Sequence, residues 1–232
     1  MIMRFKGLLF FMALAGTGAF AAADDNTLTE EEKKAGWRLL FDGKTSTGWR
    51  GYKKDKFPDG WKIQDGMMSR VTGGGDIVTV DQYENFELLV DWKITEGSNS
   101  GVMFRVQETE KSPYMTGPEI QILDDDHHKV PHTGLTATGS CYALYPPTKD
   151  AVKPIGEWNR FRIVMNHNKG EVWLNGEKIV EYEIGSPDWN KKVEGSKFKE
   201  WGSFAKSAKG YIDLQDHGGR VDFKNIKIKV LD

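Results

Sequence analysis

From Trp37 onward apolar and polar residues alternate in short runs, the period-two pattern of strands with one buried face. Phe86, Leu88, Val90, Trp92 and Ile94 fall on one face of their run. Val102, Phe104 and Val106 do the same in the next, as do Ile120 and Ile122, then Phe161, Ile163 and Met165. The pattern predicts strands over residues 37–41, 61–63, 67–71, 77–80, 86–95, 101–107, 119–123 and 138–145. Further strands are predicted over 159–166, 171–175, 177–184, 211–215 and 221–231. Asp65-Gly66, Gly73-Gly74-Gly75, Asn168-Lys-Gly170 and Asn175-Gly176 supply turns between them.

Helical signals are few. In the leader 23–36, Thr29-Glu-Glu-Glu32 has capping-box spacing and Gly36 can stand just past the C-terminus, predicting a helix of about two turns. Between Pro187 and Lys206 charges and aromatics mix without strand alternation, so a helical segment is expected to cross one edge or end of the fold. Many short strands with so little helix predict an all-β antiparallel β-sandwich or jelly roll, a single domain over 37–232.

Residues 1–22 stand apart. Arg4 and Lys6 precede an apolar run over 7–20, followed by Ala21, Ala22 and Ala23, the order of a secretory signal peptide. No cysteine lies near the cleavage site to carry a lipid, and the run is short and rich in small residues for a membrane span. An exported, periplasmic or secreted product without membrane insertion is expected. The net charge of −2 becomes −4 once Arg4 and Lys6 are removed, which argues against nucleic acid or an anionic membrane as partner. Cys141 is the sole cysteine, so no disulfide forms within the chain, and its apolar surroundings read as core. Eight tryptophans and twelve phenylalanines are enough both to fill a core and to stack on sugars.

The candidate chemistry lies opposite the apolar faces. In the run 210–218, Tyr211, Asp213, Gln215 and His217 point one way while Ile212, Leu214 and Asp216 point the other. The same phase puts Met103 and Arg105, Glu119 and Gln121, and Arg160 and Arg162 opposite the core. A face of long hydrogen-bonding side chains suits a polar ligand such as a carbohydrate, and an ordinary solvated strand face is the plainer reading. A retaining glycosidase needs two carboxyl groups about 5–5.5 Å apart. Glu119 and Asp124, five apart in sequence, fall on opposite faces unless the strand ends or bulges between them, so the expected tandem is missing.

Asp124-Asp-Asp-His-His128, with His132 nearby, offers oxygen and nitrogen donors to a divalent ion, with Asp124, Asp126 and His127 as candidate ligands. The spacing matches neither an EF-hand nor an H-E-x-x-H site, and a solvated loop at a strand end is the alternative. Asn99-Ser-Gly101 reads either as a hairpin turn or as hydrogen-bonding groups at the mouth of a site. The run Gly73–Gly75 lacks the spacing and lysine of a phosphate loop.

Taken in order, several segments resemble one family. They are Leu40-Phe-Asp-Gly43 with Gly48-Trp49, Phe86-Glu-Leu88, Asn99-Ser-Gly101 with Phe104-Arg105, and Glu119-Ile-Gln-Ile-Leu-Asp124. Gly156-Glu-Trp-Asn159, Trp173-Leu-Asn-Gly176, Leu214-Gln-Asp-His-Gly218 and Phe223-Lys-Asn-Ile226 complete the series. The mature chain resembles the bacterial 3-keto-disaccharide hydrolase domain family over essentially its whole length. Lys224 stands where an arginine is usual, a change expected to be structural.

The resemblance implies a concanavalin A-like sandwich, an exported location, and a glycoside substrate already oxidised at C3, so that the protein would act after a sugar 3-dehydrogenase. A C3 ketone acidifies the C2 hydrogen, so a single base can start β-elimination of the C1 substituent, and water added to the enone completes a net hydrolysis. Such an enzyme needs a base near neutral pKa, a donor for the leaving oxygen and a positive group on the enolate oxygen. Glu119, His217, Arg105 and Asp124 are the expected catalytic residues, with a divalent ion as an alternative partner of the enolate. Asn99, Ser100, Gln121, Gln215 and Tyr142 are the expected substrate contacts. A non-catalytic lectin-like sandwich and a conventional glucanase are the rival readings.

Overall fold

The computed structural model describes residues 24–232, and the leader read as a signal peptide lies outside them. Helix α1 is Glu30–Lys34, with both hydrogen bonds of the capping box between Thr29 and Glu32 formed. The strands are β1 Trp37–Leu39, β2 Trp49–Gly51, β3 Trp61–Gln64, β4 Met67–Arg70, β5 Ile77–Tyr83, β6 Phe86–Ile94 and β7 Asn99–Val106. They continue as β8 Glu119–Leu123, β9 Asn159–Asn166, β10 Lys169–Leu174, β11 Glu177–Glu183, β12 Gly210–Leu214 and β13 Val221–Val230. Helix α2 is Pro187–Glu194, and a 3-10 turn follows at Lys197–Glu200.

Two antiparallel sheets form a β-sandwich. One runs β11-β10-β9-β6-β13-β4-β3, with β1 also on β13, and the other β2-β5-β12-β7-β8. Their inner faces meet in one core, where Phe86, Leu88, Trp92, Ile120, Ile122, Phe161, Ile163, Leu214 and Phe223 are fully buried. Each such side chain contributes about 2 kcal/mol by leaving water, so the alternation that selects these positions also decides which face is left for chemistry. Cys141 belongs to this core, and burial pushes its thiol well above the usual range.

The Phe223-Lys-Asn-Ile226 motif explains how the leader is held. Asn225 sits at φ 52° in a bulge of β13. It exchanges hydrogen bonds with Asn26, at 2.6 and 2.9 Å, while Lys224 pairs with Asp25 at 2.6 Å. Lys224 therefore ties down the N-terminal segment.

Several local expectations are corrected. Residues 138–145 form turns in place of a strand, with Ala143 at φ 59°. They still cover the open edge of β8, because Thr138 Oγ1 both accepts from Leu123 N and donates to Leu123 O. Asn99-Ser-Gly101 lies inside β7 and is not a turn. Arg105, at φ 57°, is the extra residue where the β7–β12 register shifts. That bulge moves Val106 out of the main core to pack with Met103 and Val78 on the opposite face of the sheet. Arg160 and Arg162 belong to the other sheet, where they pair across strands with Asp91 and Glu87, well apart from Glu119.

Candidate active site

The five-stranded sheet turns its second face away from the core, and a cavity of about 640 Å³ lies there. Pairing places Asp213 on β12 beside Met103 on β7, and Met103 beside Glu119 on β8. One step along the strands, Gln215 N donates to Gly101 O at 3.0 Å and Gly101 pairs with Gln121. Glu119, Gln121, Gln215 and His217 all line the cavity, so four residues marked in the sequence are brought together. Tyr142 joins them, held by its own N–H donating to Glu119 O at 2.9 Å.

Glu119 is only 7% exposed, and burial pushes its carboxyl up to about 8 despite Lys197, which draws it down. In the orientation that satisfies its neighbours, the Gln121 amide donates to Glu119 Oε1 at 3.0 Å and to Ser100 O at 3.2 Å. Gly101 leaves room for this carboxyl to lean across β7. His217 follows the end of β12, and partial desolvation, then Lys197 and His128, hold its imidazole below the usual histidine value. Asp213 Oδ1 and Oδ2 and Gln215 Oε1 are buried without a hydrogen-bond partner. Burial, with Asp76 and Glu119 nearby, raises the Asp213 carboxyl well above its usual range.

The structure adds residues that alternation did not reveal. Lys197 and Trp201 arrive from the 187–206 segment. That segment is anchored by Trp189, Phe198 and Phe204, all buried, with Phe198 and Phe204 stacked at 4.1 Å. Lys197 Nζ stands 4.6 Å from the Tyr142 ring and 5.5 Å from that of Tyr114, a cation over aromatic faces at the cavity wall. Tyr52, Tyr114 and Trp201 give flat apolar surface of the kind sugars stack on. Asp76 also lines the cavity. Asp216, expected to face the core, lines it as well, because β12 ends at Leu214 and the alternation ends with it. Its carboxylate accepts from Gly74 N and Gly75 N, both at 2.7 Å, and pairs with Arg70 at 2.6 Å, which fixes the glycine loop.

Other expected site residues serve elsewhere. Arg105 turns toward the β9–β10 turn, where its Nη2 donates to His167 O at 2.7 Å and Asn168 Oδ1 at 3.1 Å. It does not line the cavity, whose lining cations are Lys54, Lys111 and Lys197. Asp124 accepts from Gly97 N at 2.8 Å and His127 N at 3.1 Å, a carboxylate that ties down its own loop. Ser100 donates to Gln215 O at 2.8 Å and so positions a cavity residue from beneath. Asn99 bridges to Gly218 and does not line the cavity.

The proposed metal ligands do not converge. Asp126 bonds His132 at 3.0 Å, and His127 lies 3.9 Å from Glu96. Among the described residues no group of three or more such side chains is arranged to hold an ion. His132 also reaches Asp150 at 2.6 Å, and Asp150 and Asp126 together push it up to about 9, so the histidine-rich loop is an ionic tie outside the cavity.

Comparison with known proteins places the chain in a family. Residues 36–229 match the 3-keto-alpha-glucoside-1,2-lyase-like domain. A 3-keto-disaccharide hydrolase of Bacteroides thetaiotaomicron is 32% identical, over 95% of this chain and 87% of its own. A candidate glycosyl hydrolase structure from Parabacteroides distasonis is 42% identical, with a TM-score of 0.84 over 90% of this chain and all of the other. A second from the same organism is 30% identical, with a TM-score of 0.58 over 79% of this chain and 99% of its own. The chain belongs to the 3-keto-alpha-glucoside-1,2-lyase-like domain family.

Proposed function

We propose that this protein cleaves the glycosidic bond of glycosides oxidised at C3 of the sugar, by C2 proton abstraction, β-elimination and hydration. The observation that carries this reading is the pairing, in one cavity, of a carboxyl protonated at neutral pH with an imidazole that is neutral there. Family membership and the name of the Bacteroides relative give it its substrate class.

His217, uncharged at neutral pH, takes the C2 proton. Lys197 faces the enolate oxygen that develops at C3, where a fixed positive charge in a partly desolvated site is worth far more than in water. Glu119, still protonated, gives its proton to the oxygen leaving C1. Gln121 and Gln215 hold sugar hydroxyls, and Tyr52, Tyr114, Tyr142 and Trp201 stack against the rings. Because the C3 ketone supplies the acidity, an unoxidised glycoside has no hydrogen that His217 can remove.

The same reading makes the protein an exported enzyme working downstream of a dehydrogenase that oxidises sugars at C3. Its test is aglycone release from a 3-keto-glucoside set against the matching unoxidised glucoside. Release from the first alone is expected. Equal release from both would support a conventional glycosidase, and binding without release from either would support a lectin.

A further inference from the structure

Glu119 accounts for the proton that the leaving group needs, but hydration of the enone requires a group to take a proton from water. Asp76, immediately before β5, lines the same cavity as Glu119, with β12 and β7 between their strands. Its Oδ1 is held by Asp216 N at 2.8 Å, and among the described residues no group bonds its Oδ2. Asp216 is itself fixed by Arg70, Gly74 and Gly75, so the Asp76 carboxyl is oriented by a rigid wall. Asp213, the remaining carboxyl of this floor, is sealed beneath the surface and cannot meet a water in the cavity.

We infer that Asp76 is the catalytic residue that activates water in the second half of the reaction, so that the product is a hydrated 3-keto sugar and not the unsaturated sugar left by elimination. This rests on the elimination reading above. In the first half the C2 proton passes to His217, the C1–O bond breaks, C1=C2 forms, and the Glu119 proton goes to the departing oxygen. In the second, water oxygen bonds C1, its proton goes to Asp76, and the C1=C2 pair moves into the enolate. His217, whose ring proton exchanges with solvent while the enone is bound, gives a proton to C2, and the ketone is restored. The cycle closes when Asp76 gives up its proton to solvent and Glu119 takes one from solvent. Burial pushes Asp76 to about 6 and Glu119 to about 8, so at neutral pH each returns to its starting state.

The test follows three species from a 3-keto-glucoside: aglycone, enone (by its ultraviolet absorbance) and 3-keto sugar. With Asp76→Asn, aglycone release should slow by less than about tenfold, while the ratio of enone to 3-keto sugar rises by about a hundredfold or more, as loss of a general base predicts. Purified enone supplied directly should be hydrated about a hundredfold more slowly by the variant than by wild type. Continued aglycone release shows that the variant is folded, and Asp76→Ser, which can still accept from Asp216 N, is the substitute if the amide misfolds. An unchanged product ratio would assign hydration to Glu119 and overturn the inference. Equal loss of both steps in a variant that melts like wild type would overturn it as well. Wild-type protein that releases no aglycone would refute the elimination reading itself, and this inference with it.

Discussion

Gly101 lies directly beneath the Glu119 carboxyl: a Cβ on residue 101 would stand 2.4 Å from Glu119 Oε1. The glycine of the Asn99-Ser-Gly101 motif is thus required for close approach, because any side chain there would occupy the space that the catalytic carboxyl fills. Gly101→Ala should lower turnover about a hundredfold, the cost of displacing a reacting group by about 1 Å. The obstructed atoms all belong to the Glu119 side chain and none to backbone, so thermal stability should change little. Steady-state kinetics and a melting curve check both halves. Full activity would show that the position of Glu119 is not critical.

Glu119 is held at a cost to the fold. In the unfolded chain its carboxyl titrates near 4.5, and in the folded chain at about 8. Between those values the folded state keeps a proton that the unfolded state has lost, so stability declines as pH rises through that window. Glu119→Gln removes the penalty and should stabilise the protein at neutral pH by about 2 kcal/mol, raising Tm by about 4–8 °C. The same substitution should lower turnover by about two to four orders of magnitude. A variant both inactive and less stable would contradict this.

The pH dependence of kcat/KM should be bell-shaped. Below pH 6.5 the rate falls as His217, whose value is lowered from 6.5, gains a proton and stops acting as a base. Above pH 8 it falls as Glu119 loses the proton meant for the leaving oxygen. Glu119→Gln should leave the acid limb and abolish the alkaline one. An alkaline limb that persists in that variant would assign the acid elsewhere.

Lys197 and Arg105 should separate cleanly. Lys197→Met removes the cation proposed to face the enolate and should lower kcat by about two to three orders of magnitude with little loss of stability. Arg105→Met leaves His167 O and Asn168 without a donor between the sheets and should destabilise the fold by about 2 kcal/mol with kcat nearly kept. The opposite pattern would restore Arg105 to the site.

Why neither cation could be placed correctly from the sequence comes down to regularity. Alternation assigns faces correctly wherever a strand is continuous, so Glu119 and Gln121 on β8 and Gln215 just past β12 were recognisable as partners. Arg105 was misplaced because a single bulged residue at positive φ reverses the phase, and nothing in Phe104-Arg-Val106 announces it. Asp216 was misplaced because its strand had already ended. Lys197 had no period to follow, since it projects from a 3-10 turn whose position is set by Trp189, Phe198 and Phe204 packing on distant residues. The run Lys197-Phe-Lys-Glu-Trp201, alternating charge and aromatic, was the one local signal, and it is equally that of a surface helix. Asp124, Asp126 and His127 carry metal-ligand chemistry, but their loop spends it on its own backbone and on His132.

The central claim is that bond cleavage begins with loss of the C2 proton, and deuterium incorporation tests it most directly. When a 3-keto-glucoside is cleaved in deuterated water, the 3-keto sugar should carry deuterium at C2, read by mass spectrometry and by loss of the C2 proton signal. Because the proton is removed and replaced by an exchangeable one, incorporation should approach one deuterium per turnover. Cleavage by this protein at full rate with C2 still protonated would mean direct displacement at C1, and would contradict the mechanism.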